Sequence, residues 1–236
     1  MRFTILILFF ISDLYSFFNY KEDTDYLELL DNALYCEQAD MRMEIYKNDK
    51  VIKFYEMNFY RQGEKMRMEF TAPGTEKGRR MLNDNSNLWM YLPRTSKVMK
   101  LPFKQSFMGS DASNADLMRM EFKKDYEIVS VLKKDENTVE LELKAKDLEV
   151  SCNKVKILFD TVKKVPVKQE MYSLSDKLIK TLIYGNILLV NGVYIPAEMI
   201  IKDELQADSL TKLYYTNIRK RGNKQAEFFT LGSLKK

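Results

Sequence analysis

The sequence predicts a mainly β protein in which about eleven strands form one large, strongly curved antiparallel sheet. Two observations carry this prediction. Short stretches of alternating apolar and charged residues follow one another along most of the chain, and only one stretch shows the longer period of an amphipathic helix. One N-terminal helix and a few short helices would cover the apolar face of this sheet only in part. We therefore expect a large apolar concavity under a partial lid.

The composition limits the possible functions. The chain has 236 residues, a formal net charge of +4 and no histidine. Its length fits a single domain, and the missing histidine excludes Ser-His-Asp and Cys-His catalysis and histidine metal sites. The basic triplet at 219–221 is short and isolated, so we predict no nucleic-acid partner. We also predict no metal and no cofactor.

The N-terminus predicts export. Arg2 is followed by an apolar run at residues 3–11, which is too short to cross a bilayer and typical of a signal-peptide core. We expect a cleaved signal peptide at residues 1–16, and the alternative is an uncleaved anchor. The mature chain, residues 17–236, would be one exported domain and is expected to be a monomer.

The one helical stretch comes next, at residues 23–38. Asp25 and Glu28 have the spacing of a capping box, and Leu27, Leu30 and Leu34 share one face. The sequence therefore predicts an amphipathic helix whose apolar face packs on the sheet.

The strand candidates fill most of the remaining chain. They are 41–46, 51–60, 66–71, 78–82, 88–93, 97–102, 126–132, 139–144, 154–160, 165–173, 177–184, 193–202 and 210–218. Asn191 and Gly192 form a hairpin turn signal that requires positive φ. Short helices are expected between Phe103 and Met120, where they would form the lid.

Methionines recur at strand spacing on the predicted apolar face. We expect the cavity to be lined by Met41, Met43, Ile45, Met57, Met66, Met68 and Phe70, with Met81, Met90 and Met99 alongside. Methionine is flexible and polarizable, and it suits surfaces that accept apolar ligands of variable shape. The alternative is that these methionines fill an ordinary core.

Four motifs in the centre of the chain occur in a fixed order. They are KGRRML at residues 77–82, LWMYLP at 88–93, a basic strand with Lys97 and Lys100, and FMGSD at 107–111, followed by Ser113 and Asp116. This order resembles the outer-membrane lipoprotein-sorting family, the LolA/LolB-like proteins, and in particular the branch associated with large lipid-export pumps. The resemblance implies a half-open β-barrel with a helical lid over a cavity for acyl chains. It also implies a periplasmic carrier of lipids or lipoproteins without covalent catalysis.

Individual residues of these motifs have candidate roles. Trp89, Tyr91 and Phe107 would line the cavity or its mouth, or serve as core anchors. Arg79 and Arg80 would hold the lid or meet a lipid headgroup, or lie on a solvated edge.

The FMGSD loop suggests structural roles rather than catalytic ones. Ser110 has no evident base beside it, so we interpret Gly109 as a turn residue and Ser110 and Asp111 as caps of the helix that follows. A metal pair of Asp111 and Asp116 would rest on two carboxylates alone. Cys36 and Cys152 match no zinc spacing and are either two buried free thiols or a disulfide.

The leading hypothesis is a periplasmic carrier that binds acyl chains and moves them toward the outer membrane. Its partners would be the cargo, an inner-membrane transporter and an outer-membrane acceptor. An alternative is a non-catalytic adaptor of an inner-membrane lipid-export pump. An integral outer-membrane barrel is disfavoured by the densely charged faces of residues 139–144 and 154–156, and no motif supports an enzyme.

Overall fold

The computed structural model describes residues 25–118, 121–147, 150, 152–206 and 208–236. The expected signal peptide, residues 1–16, lies outside the described residues. The strands are β1 (Gln38–Lys47), β2 (Lys50–Gln62), β3 (Lys65–Ala72), β4 (Arg80–Asn83), β5 (Leu88–Leu92), β6 (Lys97–Leu101), β7 (Tyr126–Lys133), β8 (Thr138–Ala145), β9 (Lys154–Asp160), β10 (Val165–Tyr172), β11 (Leu178–Val190), β12 (Val193–Asp203) and β13 (Ser209–Arg219). The helices are α1 (Tyr26–Leu34), α2 (Asn114–Met118) and α3 (Phe122–Asp125), and 3₁₀ turns follow at Ala226–Phe229 and Leu231–Lys235.

All described strands belong to one antiparallel sheet. Its order is β6-β5-β4-β3-β2-β1-β13-β12-β11-β10-β9-β8-β7, so the last strand of the chain pairs with the first and joins two meanders. The expected count of about eleven strands is wrong, because the sheet has thirteen. Each short alternating stretch forms a strand of its own, including the four-residue β4 between two turns. The mainly β, antiparallel class is confirmed.

Helix α1 is shorter than the stretch that predicted it. It begins at Tyr26, and the Asp25 side chain accepts a hydrogen bond from the backbone N–H of Glu28 at 3.0 Å. It ends at Leu34 because residues from Gln38 onward already pair as β1. Lys220 donates to the carbonyl of Tyr35 at 2.7 Å, so a basic side chain satisfies an acceptor just beyond the helix end. The helix buries Tyr26, Leu30 and Ala33.

The two faces of the sheet are covered by different parts of the chain. We call the face under the three helices the inner face, and its side chains form the main core cluster. The other, outer face carries a smaller cluster near β2–β5, where residues 225–236 pack; we call this segment the C-terminal arm. None of the helices in the described part of the chain is long and apolar enough to span a bilayer.

Candidate functional site

A row of methionines crosses the inner face at one end of the sheet. Met68 of β3 lies opposite Met81 of β4. Met81 in turn lies opposite Met90 of β5, and Met90 lies opposite Met99 of β6. We call these four residues the methionine row. Because side chains directly opposite on neighbouring strands lie about 5 Å apart, the row forms a continuous thioether surface.

A segment without strand structure lies across this inner face. We call residues 102–118 the cover segment; it runs from the end of β6 through α2. Its turn places Met108 and Gly109 at φ of 56° and 79°, and the N–H of Phe107 bonds to the carbonyl of Ala112 at 2.8 Å. The prediction that Gly109 serves a tight turn is therefore confirmed, since this left-handed region favours glycine.

The capping of α2 differs from the sequence prediction. The backbone N–H of Ser113 donates to Asp116 Oδ2 at 2.7 Å, and the N–H of Asp116 donates to Ser113 Oγ at 3.2 Å. This reciprocal pair is a capping box. The assignment of Ser110 and Asp111 as caps is wrong, because Asp111 bonds to β13 and Ser110 bonds within its own turn.

Apolar contacts hold the middle of the cover segment. The ring of Phe107 is fully buried and stacks on Phe70 of β3 with centroids 6.2 Å apart. Arg79 donates from Nη1 to Met108 Sδ at 2.9 Å, and its guanidinium also pairs with Glu76 at 2.6 Å. Arg79 thus contacts the cover segment through the Met108 side chain.

Two polar contacts, which we call the clasps, fix the cover segment to the far strands. In the first, Ser209 and Thr211 of β13 donate to the carboxylate of Asp111 at 2.8 and 2.6 Å. In the second, Lys180 of β11 forms an ion pair with Asp116, whose side chain is 3% exposed. A buried charge without its partner is strongly unfavourable, so both clasps stabilise the segment where it lies against the sheet.

Two pockets border the cover segment. One, the inner pocket, has a volume of about 90 Å³ and is lined mainly by apolar side chains together with Arg61 and Asp116. The other, the methionine pocket, has a volume of about 240 Å³ and is lined by Met81, Met90 and Met99 with residues of the cover segment. Both lie below the range of roughly 300–1,000 Å³ that is typical of ligand pockets.

A charged rim borders the inner pocket near α1 and α3. The side chain of Arg61 is 11% exposed, pairs with Glu121 at 3.3 Å and lies 4.6 Å from the ring centroid of Tyr35. Burial raises the pKa of Glu121, chiefly through desolvation. Cys36 also lines this pocket, and burial raises the pKa of its thiol to about 11. Cys36 and Cys152 are both free and buried, as the simpler interpretation predicted.

The structure separates the predicted site residues into two groups. The first group lies in the main core cluster and consists of Met41, Met43, Ile45, Met57, Met66, Met68, Phe70 and Phe107. Of these residues, only Met66 lines the inner pocket. Trp89 and Tyr91 belong instead to the outer cluster, because they alternate with Leu88 and Met90 along β5. Arg80 contacts the C-terminal arm on the outer face, where it donates to the carbonyl of Leu234 at 3.1 Å.

Sequence reasoning missed several residues of the site. Lys180 is the charged residue that precedes an uncharged stretch at 181–197, and Ser113 and Asp116 have capping-box spacing. Both signals were visible, but the ion pair that joins Asp116 to Lys180 spans 64 positions and leaves no local pattern. The inner pocket residues Tyr184, Met199 and Tyr215 come from β11, β12 and β13, and only the fold places them around one pocket with Phe59 and Arg61 of β2.

The family comparison covers most of the chain. A family model whose description reads "-like: Uncharacterized protein" matches residues 62–236. This range contains β3–β13, the cover segment and the C-terminal arm. No curated protein matches the sequence.

Three solved structures share the fold. A LolA superfamily protein from Nitrosomonas europaea is 24% identical with a TM-score of 0.76, over 88% of this chain and 96% of its own. A DUF1329 family protein from Desulfovibrio piger is 19% identical with a TM-score of 0.76, over 89% and 96%. An outer membrane lipoprotein-sorting protein domain from Vibrio parahaemolyticus is 22% identical with a TM-score of 0.72, over 84% and 91%. The resemblance that the motifs predicted is confirmed at the level of the fold.

Proposed function

This chain belongs to the family of uncharacterized proteins whose model matches residues 62–236, and from its LolA-like fold we propose that it is a non-catalytic carrier of acyl chains. The cargo is a lipid or the lipid moiety of a lipoprotein. The observation that carries the proposal is the apolar, methionine-rich inner face, closed by a segment that two polar clasps hold in place.

The chemistry of the inner face suits a flexible hydrocarbon. The methionine row and Phe70 offer apolar surface without charged groups, and methionine side chains adjust to chains of different length and saturation. Each methylene that leaves water contributes about 0.8 kcal/mol, so a long acyl chain supplies ample affinity from apolar burial alone.

Cargo binding requires the cover segment to move. The inner pocket and the methionine pocket are both too small for a long chain, and residues of the cover segment line each of them. Lifting the segment would join the two pockets along the inner face. It would also return Asp111, Asp116 and Lys180 to water, so part of the free energy lost with the clasps is regained as hydration. Polar contacts of this kind therefore cost less to break than buried apolar contacts, which suits a cover segment that opens.

We place the protein in the periplasm, with transport toward the outer membrane, an inner-membrane transporter as donor and an outer-membrane protein as acceptor. The apolar run at residues 3–11 supports export, and the lipoprotein-sorting description of the structure from Vibrio parahaemolyticus supports this direction. We propose cleavage after residue 16 and a single domain from residue 17 onward. The predicted inner-face residues, with Arg79 at the cover segment, are the proposed cargo-binding surface.

The test is mass spectrometry of lipids extracted from the exported protein after purification without detergent. We expect phospholipid, fatty acid or acylated peptide in a ratio near one per protein. The variant Met81→Glu tests the site, because it places a carboxylate in the methionine pocket and should lower the lipid content at least about tenfold. A lipid-free wild-type spectrum, together with co-purification of an inner-membrane transporter, would replace the carrier with the adaptor.

A further inference from the structure

The β11–β12 hairpin breaks the pattern that the rest of the sheet follows. In strands such as β8 and β9, a buried face alternates with charged residues. The stretch at 181–197 contains no Asp, Glu, Lys or Arg and is the longest uncharged run in the sequence. We call residues 186–196 the apolar hairpin.

Both faces of the apolar hairpin are apolar. Leu188 is the register partner of Ile195, Leu189 of Tyr194, and Val190 of Val193. Since neighbouring residues of a strand point to opposite faces, Leu188 and Leu189 present apolar surface on the two sides. Leu188, Leu189 and Tyr194 are 39%, 62% and 37% exposed. A strand pair with two apolar faces matches an environment that is apolar on both sides.

The apolar hairpin extends beyond the sheet on either side. The ladder between β10 and β11 ends at the pair Lys168 and Ile183, and the ladder between β12 and β13 ends at Glu198 and Tyr214. The residues beyond these pairs therefore project as a two-stranded tip. At its base, Ile195 and Pro196 line the inner pocket.

Basic residues flank the tip on both sides. The β9–β10 turn carries Lys163 and Lys164 next to Val162, which is 64% exposed. The end of β13 and the residues after it carry Arg219 and Arg221, whereas Lys220 between them donates to the carbonyls of Asn32 and Tyr35. Glu37 accepts from the N–H of Gly222 nearby. At the opposite end of β12, the turn to β13 carries Asp203, Glu204 and Asp208. Carboxylates also lie at the end of the sheet that carries the tip: Asp160 accepts from the N–H groups of Val162 and Lys163, and Lys164 shares a pocket with acidic side chains that include Asp135 and Glu136. Arg219 and Arg221, both exposed, are therefore the basic side chains best placed to meet an anionic surface.

We propose that the apolar hairpin is a membrane-docking element that inserts into the surface of an anionic phospholipid bilayer. Apolar side chains enter the boundary between headgroups and acyl chains, and the flanking Arg219 and Arg221 meet lipid phosphates. Because Ile195 and Pro196 line the inner pocket, docking places that pocket next to the bilayer. Docking through the exposed tip does not require the carrier function.

The test is vesicle flotation of the chain from residue 17, which contains every described helix and strand. The probes are vesicles of phosphatidylcholine with and without phosphatidylglycerol. We expect binding to the phosphatidylglycerol vesicles that weakens as salt is raised, and little binding to the neutral ones. No binding to either kind of vesicle would overturn the proposal and favour a protein partner or the N-terminal segment as the occupant of the hairpin.

Substitutions identify the residues that bind the vesicles. Leu188→Asp with Leu189→Asp should lower the association constant at least about tenfold, because two carboxylates cannot enter the apolar boundary. The matched control is Leu174→Asp, at the other end of β11 and 75% exposed, which should bind like the wild type. Arg219→Gln with Arg221→Gln should weaken binding to anionic vesicles only. Equal binding by the wild type and the Leu188 and Leu189 variant would refute the proposal.

A tryptophan at the tip reports insertion directly. Tyr194→Trp should show a blue shift of the added emission with phosphatidylglycerol vesicles, and Leu174→Trp should show none. All these positions are exposed, so circular dichroism should confirm unchanged folding. Fatty-acid binding in vesicle-free buffer, the readout of the carrier function, should be equal in all these variants, so the two proposals can fail separately.

Discussion

The two apolar clusters of this sheet are covered in different ways. On the outer face, the C-terminal arm buries Phe229 and Leu234, and Arg67 fixes it by donating to the carbonyl of Phe228 at 2.8 Å and to Ser233 Oγ at 2.9 Å. On the inner face, methionines lie under a cover segment that encloses pockets and is held by Asp111 and Asp116. The outer cover is a packed aromatic seal, whereas the inner cover leaves space beneath it.

This difference predicts separate roles for the two covers. The outer cluster contributes stability through aromatic packing, including the perpendicular contact of Phe228 and Phe229 at 5.4 Å. The inner cluster borders two pockets beneath its cover segment, where the proposed cargo would bind. Substitutions in the outer cluster should therefore change the free energy of unfolding, and substitutions at the clasps should change cargo affinity as well.

The largest effect is expected in the outer cluster. Phe229→Ala should lower the free energy of unfolding by about 3–5 kcal/mol, because the ring is 1% exposed and its removal leaves a cavity. Urea unfolding measures this loss, and fatty-acid affinity of the folded protein should stay unchanged. Leu231→Ala, at a position 42% exposed on the same arm, is the control and should cost less than about 0.5 kcal/mol. A loss of fatty-acid affinity in Phe229→Ala would contradict the separate roles of the C-terminal arm and the cover segment.

The next effect concerns the second clasp. Lys180→Met should cost roughly 3 kcal/mol because it leaves Asp116 buried without its partner. Combining it with Asp116→Asn removes both charges and should recover most of that loss in a double-mutant cycle. When the cover segment moves away, water hydrates the unpaired Asp116 carboxylate, so Lys180→Met should raise the population of the open state. Because fatty acid binds that state, Lys180→Met should bind fatty acid more tightly than the wild type. Weaker binding would show that Lys180 contacts cargo rather than holding the cover.

A thiol at the inner pocket provides a native probe. Burial raises the pKa of Cys36 from 9.0 to about 11, which lowers its thiolate fraction near pH 8 about a hundredfold relative to a thiol with the ordinary value. Iodoacetamide labelling of Cys36 should therefore be slow and should accelerate in Lys180→Met. Because the folded pKa is raised, the associated stability is present below pH 9.0 and is lost as pH rises through about 11. Fast labelling of the closed wild-type protein would contradict this account.

The smallest stability effect is expected in the methionine row. Met81→Leu with Met90→Leu conserves volume and should change the free energy of unfolding by less than about 1.5 kcal/mol per site. The stiffer side chains should narrow the range of fatty acids that bind, with saturated and bent chains discriminated more strongly than in the wild type. Titration with a series of chain lengths measures this. Unchanged selectivity would indicate that the methionines only fill the core.

The local features of the fold could be predicted from the sequence. The period of two located every strand candidate, Asp25 marked the start of α1, and Asn191 with Gly192 marked the hairpin. The thirteen candidate stretches correspond to the thirteen strands, including the short β4 at 78–82, so the total of about eleven was an undercount of the candidates themselves. The alternation also placed Trp89 and Tyr91 on one face of β5, but which face lies under the helices depends on distant parts of the chain.

The site itself was less accessible to sequence reasoning. The clasps join residues that are about sixty-four and a hundred positions apart, such as Asp116 with Lys180 and Asp111 with Thr211, and no local period reveals such pairs. The outer cluster depends on the C-terminal arm, which has no strand pattern and folds back onto β2–β5. Long-range polar contacts and irregular segments are therefore the parts that required the structure.

The most direct test of the central claim is a fluorescent fatty-acid titration of the wild-type protein and Lys180→Met, with iodoacetamide labelling of Cys36 followed in the same samples. We expect binding by both proteins, tighter binding by Lys180→Met, and protection of Cys36 once cargo fills the inner pocket. Absence of binding in both proteins, or binding that leaves Cys36 labelling unchanged, would contradict the claim that cargo enters beneath the cover segment.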